Sequence, residues 1–144
     1  MTEHPHETVV RDAFRAYADG DLDAFTALFT EDVVWHVPGT NRFSGRFDGA
    51  AAVRERMDRL GAAGVRFDLE PHDVLANDEH AVALVSLHVT NAAGQRYDQQ
   101  QVQVWHFRDG RCAEYWAMNQ DQAVLDVLLD GPQGGSATPT IIGG

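Results

Sequence analysis

Along the first third of the chain, apolar residues return at helical spacing. Val9, Val10, Ala13, Phe14 and Tyr17 share one face, while Arg11, Asp12, Arg15 and Asp19 fall on the other. Thr8 is the expected N-cap of this helix, and Gly20-Asp21 breaks it. Asp21 or Asp23 then caps a second helix carrying Leu22, Phe25, Leu28 and Phe29. A short β-rich run over 32–37 stops at Pro38-Gly39, and the polar segment 40–48 reads as irregular. A third helix over 50–60 places Val53, Met57 and Leu60 in an apolar stripe, with Arg54, Arg56 and Arg59 as a solvated face. Beyond Gly61 and Gly64 the pattern turns to sheet. Strands are expected over 65–74, 80–90, 95–107 and 111–118, with turns at Asn77-Asp78-Glu79, Asn91-Ala92-Ala93-Gly94 and Arg108-Asp109-Gly110. Asp121 caps a short final helix over 122–129, and the Gly/Pro-rich stretch after Gly131 has the composition of a linker.

Helices first and a strand meander afterwards is an α+β pattern. The expected architecture is a cone in which three N-terminal helices pack on a strongly curved antiparallel sheet enclosing an apolar pocket. Residues 1–7 are expected as a flexible N-terminus, 8–131 as the domain and 132–144 as a disordered tail. If Trp105 faces the pocket, strand alternation sends Gln101, Gln103 and Phe107 inward and Val102, Val104 and His106 outward. Pairing across the Asn91 turn then sends Leu84, Ser86 and His88 inward. Val85, Leu87, Val89, Val102 and Val104 would form an apolar convex patch, a surface that a monomer rarely exposes. A homodimer through that sheet face is the expectation that follows.

Composition narrows the function. The chain has 144 residues, the size of one domain, and 44% of them are hydrophobic, enough for a core and a pocket. Its formal charge of −11 repels nucleic acid and anionic lipid, so neither is an expected partner. Every basic residue is Arg, which excludes Schiff-base lysine chemistry and a Walker-type phosphate loop. The single cysteine, Cys112, reads as a small buried hydrophobe. No apolar run is long enough for a transmembrane helix, and the start lacks a signal-peptide pattern, so a cytoplasmic protein is expected. The seven histidines are scattered, with His4 and His6 at the start of the chain, and no cofactor motif is present, so neither metal nor cofactor is expected.

Several local words occur together in order: Ala18-Asp19-Gly20-Asp21-Leu22-Asp23, Leu28-Phe29-Thr30-Glu31-Asp32-Val33, Trp35-His36-Val37-Pro38-Gly39 and Phe47-Asp48-Gly49. Phe107-Arg108-Asp109-Gly110-Arg111 and Glu114-Tyr115-Trp116 followed by Asp121 complete the set. Over residues 8 to 130 the chain resembles the nuclear transport factor 2-like superfamily, in its SnoaL-like, ketosteroid-isomerase-like branch. The resemblance implies the cone fold. It also implies where chemistry would sit, and the ketosteroid isomerase positions are vacant: Val37 stands where the proton-shuttling aspartate would precede Pro38, and Ala13 and Trp105 stand at the oxyanion-hole positions. The strand over 80–90 has neither Arg nor Asp, which disfavours the Asp-Arg-Asp set of limonene-epoxide hydrolases. Polyketide cyclases of the SnoaL type use an aspartate after a Glu-x-Trp, and Asp121 stands in that place.

The candidate proton carriers are therefore His36, His88 and Asp121. Each has a structural alternative: a strand-end histidine, a cross-strand hydrogen bond to Gln101 or Gln103, and a helix cap. Tyr17, Gln101, Gln103, Tyr115 and Asn119 are candidate orienting groups, and Phe14, Trp35, Val37, Met57 and Trp105 the apolar wall. The expected function is cofactor-independent acid/base chemistry, such as cyclisation, isomerisation or dehydration, on a small hydrophobic polyketide- or terpenoid-like molecule. The alternative is a non-catalytic ligand-binding or dimerisation module on the same fold.

Overall fold

Pro5, whose ring presets a helical φ and whose missing N–H costs nothing in a first turn, opens the first helix. This helix, α1 (Pro5–Ala18), is capped by His4, which accepts from the His6 N–H at 3.0 Å through its ring. It thus starts ahead of Thr8, and residues 5–7, expected to be flexible, are helical. The computed structural model describes residues 3–131, and the expected disordered tail, 132–144, lies outside the described residues. The His6 ring stacks on Phe107 at 3.9 Å, tying this end down.

Asp21 caps α2 (Leu22–Thr26), its carboxylate accepting from the Ala24 N–H at 3.0 Å. This helix is shorter than expected because Phe29 already opens β1 (Phe29–Val37). The polar segment after Pro38 hides a short edge strand, β2 (Gly45–Asp48). Then follow α3 (Ala50–Ala62), β3 (Arg66–Ala76), β4 (His80–Thr90), β5 (Arg96–Arg108), β6 (Arg111–Asn119) and α4 (Gln122–Asp130). The six strands form one sheet in the order β2-β1-β6-β5-β4-β3. Four of its pairings are antiparallel, but β1 runs parallel to β6, so the sheet is mixed. Helix α1 lies against β3 and β4, α3 against β1 and β2, and α4 against β5.

The faces of the sheet are set by the loop between β4 and β5. Thr90 pairs with Arg96, leaving residues 91–95 as a five-residue loop, one longer than the expected turn. Asn91 holds it: its Oδ1 accepts from Ala93 N–H at 3.1 Å and Gln95 N–H at 3.0 Å, and Gly94 takes a positive φ of 82°. One added loop residue flips every side chain of β4 relative to β5. Gln103 is therefore opposite Ala83, and Gln101 opposite Val85. Ala81, Ala83, Val85, Leu87 and Val89 are the buried inner set, at no more than 1% exposure. Leu84, Ser86 and His88, expected inside, face outward. The expected convex patch is corrected accordingly: Val82, Leu84, Val102, Val104 and Trp116 are half-buried on the outer face, with Met118 47% exposed beside them. Val85, Leu87 and Val89 belong to the core instead.

A second core cluster closes one end, where Leu125, Leu128 and Leu129 of α4 meet Phe43, Leu60, Val65, Leu87 and Val89. Each fully buried aliphatic side chain there contributes roughly 1.5–3 kcal/mol relative to exposure. The short last helix is thereby pinned over the concave face and becomes part of the pocket wall.

Candidate functional site

Between the concave face and the helices lies a narrow cavity. Its wall is mostly apolar and aromatic. Phe14 and Tyr17 come from α1, Met57 from α3, Trp35 and Val37 from β1, Trp105 from β5, and Tyr115 from β6. Trp35 stacks on Tyr115 at 4.2 Å between ring centres, and Trp105 meets Tyr115 edge-on at 5.6 Å. All ten residues expected as the binding wall line this cavity: these seven together with Gln101, Gln103 and Asn119.

The amides form a one-way hydrogen-bond ladder. Trp105 Nε1–H donates to Gln103 Oε1 (3.1 Å), Gln103 Nε2 to Gln101 Oε1 (2.8 Å), and Gln101 Nε2 to Asn119 Oδ1 (2.9 Å). Asn119 Nδ2 continues to Gln122 Oε1 (2.8 Å), and Gln122 Nε2 ends on the Asp126 carboxylate (2.9 Å). Neighbouring inward positions on β5 are two residues apart, so three consecutive inward side chains can hand one bond to the next. Asp126 also accepts from Asn41 Nδ2 at 2.7 Å and Thr40 Oγ1 at 3.2 Å. Burial pushes its pKa up, but the bonds from Gln122, Asn41 and Thr40 prevail and hold it below the usual carboxylate range. The ladder satisfies a polar wall that would otherwise be costly to bury. Gly39 permits this, because a Cβ at its positive φ of 103° would collide with Asp126 and Gln122.

The remaining polar groups are donors without acceptors. Neither Tyr17 nor Tyr115 hydroxyl makes a hydrogen bond among the described residues, and burial raises both pKa values, so both phenols stay protonated near neutrality. Trp35 Nε1–H is buried with no acceptor. Arg56, at 5% exposure, also lines the cavity. Its Nε–H donates to the Phe43 carbonyl at 2.8 Å, and its guanidinium lies 5.6 Å from the Phe47 ring centre. Sequence reasoning placed Arg56 on the solvated face with Arg54 and Arg59. The signal was present, since Arg56 lies three residues after Val53 and four before Leu60, on the buried stripe itself. Asn41 was missed because its segment has no periodicity.

None of the three expected proton carriers lines the cavity. His36 follows inward-facing Trp35 and so faces out, where Nε2 lies 2.7 Å from Glu114 Oε2 and the ring stacks on Trp116. His88 sits outside because of the five-residue loop, clamped 2.8 Å from Asp98 on one side and 2.8 Å from Glu70 on the other. Asp121 is the cap of α4, accepting from Val124 N–H at 3.2 Å, and its backbone is bound by the Gln99 side chain. Cys112 is buried, and burial pushes its thiol up to about 12. Among the described residues no group of three or more His, Cys, Asp or Glu is arranged to hold a metal. No described helix is long and apolar enough to cross a membrane.

Comparison with known proteins agrees with this architecture. The SnoaL-like domain family matches residues 10–115. An uncharacterised protein of Mycobacterium tuberculosis (strain H37Rv) is 33% identical over 121 residues, covering 81% of this chain and 92% of that protein. An NTF2-like protein of unknown function from Burkholderia pseudomallei K96243 superposes with a TM-score of 0.81 at 23% identity, over 88% of this chain and 98% of that one. A proposed polyketide cyclase from Xanthomonas campestris pv. campestris superposes at 0.73 with 23% identity, over 87% and 96% of the two chains.

Proposed function

The chain belongs to the SnoaL-like domain family of the NTF2-like superfamily, and on that premise we propose that it takes one small, largely apolar molecule into the cone and performs cofactor-independent acid/base chemistry on it. Cyclisation, isomerisation and dehydration share a transition state in which negative charge builds on a carbonyl oxygen. The observation that carries this reading is the pair of neutral, unengaged phenols, Tyr17 and Tyr115, in an aromatic cavity. Such groups donate to a developing oxyanion, and exclusion of water by Trp35, Phe14, Met57 and Trp105 strengthens the bond. In this reading Tyr17 and Tyr115, rather than His36, His88 and Asp121, supply the donors to the oxyanion, while the amide ladder orients the ligand. A ligand of polyketide or terpenoid type suits the wall, and the similarity to a proposed polyketide cyclase is in keeping with it.

A second reading, binding without turnover, is favoured by one observation. Among the described residues lining the cavity there is no Asp, Glu or His to act as a base. Deuterium exchange separates the two. The molecule that co-purifies, identified by native mass spectrometry and extraction, is incubated with the protein in D2O. Acid/base catalysis adds mass at carbon, and Tyr17→Phe or Tyr115→Phe slows that uptake at least tenfold. Retention of every C–H would leave the protein a binder. An adduct that persists in Ala117→Trp, which fills the cavity, would remove the ligand from this pocket altogether.

We also propose a homodimer through the outer sheet face, on which Val82, Leu84, Val102, Val104, Trp116 and Met118 form adjoining rows. A cytoplasmic setting suits a buried free thiol at Cys112.

A further inference from the structure

A guanidinium stays charged at any physiological pH, so an Arg buried to 5% exposure must find compensation or destabilise the fold. Arg56 finds little. Its Nε–H binds the Phe43 carbonyl and its plane lies over Phe47, yet among the described residues no carboxylate is within ion-pair distance and its two Nη groups have no acceptor. The same cavity wall carries the free hydroxyls of Tyr17 and Tyr115 and the unsatisfied Trp35 Nε1–H. Arg56 is close enough for its charge to act on both phenols. Trp35 Nε1–H is buried without a partner, and the Tyr17 and Tyr115 hydroxyls and the Arg56 Nη groups have no acceptor among the described residues, so this wall offers donors that a ligand's acceptor would complete. The amides do not share this deficit, because the ladder pairs them with one another.

We propose, on the reading that this cavity is the ligand site, that its ligand carries an anionic two-oxygen group of the carboxylate type, bound by Arg56 with Tyr17 and Tyr115 beside it. The planar fork of the guanidinium matches two oxygens at once, which a lysine would not. Over the whole chain acidic residues outnumber basic ones by eleven, so the outer surface attracts no anion by itself. Affinity for an anion must therefore come from inside the cone, where low dielectric makes one unscreened cation effective.

Two probes of the same shape test the assignment at pH 7: 2-naphthoate, which is ionised, and 2-naphthamide, which is neutral. Binding is followed by calorimetry and by quenching of Trp35 and Trp105 fluorescence. Wild-type protein is expected to bind the naphthoate at least tenfold more tightly. Arg56→Gln, which keeps a donor for the Phe43 carbonyl, is expected to bring the ratio to about one while retaining naphthamide binding, and Arg56→Lys to leave an intermediate ratio. Equal wild-type affinities, or a preference that survives in Arg56→Gln, would overturn the anion assignment and leave the pocket reading standing. The wild-type comparison decides even where a variant fails to fold. Binding of neither probe would overturn both.

Discussion

At the scale of single residues, charge and location part company. Among the described residues the one charged side chain on the cavity wall is an arginine that composition alone assigns to water, while His36 and His88, which composition offers as catalysts, lie off that wall. His88 shows how a role outside the cavity is measured. Its bond to Asp98, joined by that to Glu70, outweighs desolvation and raises its pKa above the ordinary value. The folded state therefore holds the proton more tightly than the unfolded chain. The resulting stabilisation is complete below an ordinary histidine pKa of about 6.5 and disappears as pH rises through the folded value. His88→Gln is expected to lower the unfolding free energy by less than about 1 kcal/mol near pH 5.5 and to leave it unchanged near pH 9, in urea titrations at both. An equal loss at the two pH values would rule out the ion-pair account. For Arg56 the helical stripe Val53-Arg56-Met57-Leu60 was readable. Charge outweighed period in that reading, and a cavity on the far side of a helix leaves no mark in local sequence.

At the scale of elements, one loop decides which residues can do chemistry. The strand β4 alternates cleanly, with an entirely apolar set at Ala81, Ala83, Val85, Leu87 and Val89 and a mixed set at His80, Ser86 and His88. That alternation alone indicates the inner face. Counting pairs across a four-residue turn reverses it, because Gln95 belongs to the loop and not to the strand. Asn91 enforces the longer loop and also donates to the Leu128 carbonyl at 3.1 Å, joining the hairpin to α4. Asn91→Ala would strand buried partners at both ends, with an expected loss of about 1–3 kcal/mol in denaturant unfolding. A change under about 0.5 kcal/mol would show that the backbone holds the loop unaided. Elsewhere local signals sufficed: the Asp21 and Asp121 caps and the Asp109-Gly110 turn, with both φ values positive, lie where capping and turn chemistry place them. The edge strand β2 escaped notice because four residues, three of them exposed, carry no hydrophobic period.

At the scale of the molecule, the sheet separates two environments, a donor-lined cavity inside and an apolar outer face with a histidine rim. Leu84 and Val102 sit side by side in the middle of that outer face, with Met118 next in register. Val102→Glu is expected to convert a dimer to a monomer in sedimentation velocity while the circular dichroism stays unchanged. A monomeric wild type, or a dimer that survives the charge, would place association elsewhere. The chain by itself determined the α+β class, the order of the elements apart from β2, and ten residues of the cavity wall. These depend on periodicity and turn residues, both of which are local. Only the tertiary structure decided which side of the sheet His36 and His88 occupy, that Asp121 spends its carboxylate on a helix cap, that α4 closes the cone, and that Arg56 is buried there with no carboxylate in ion-pair contact among the described residues. Those outcomes depend on register and on which elements meet across the core. A single residue in a loop reverses a strand face, and a charge becomes functional only when no opposite charge is near enough to neutralise it.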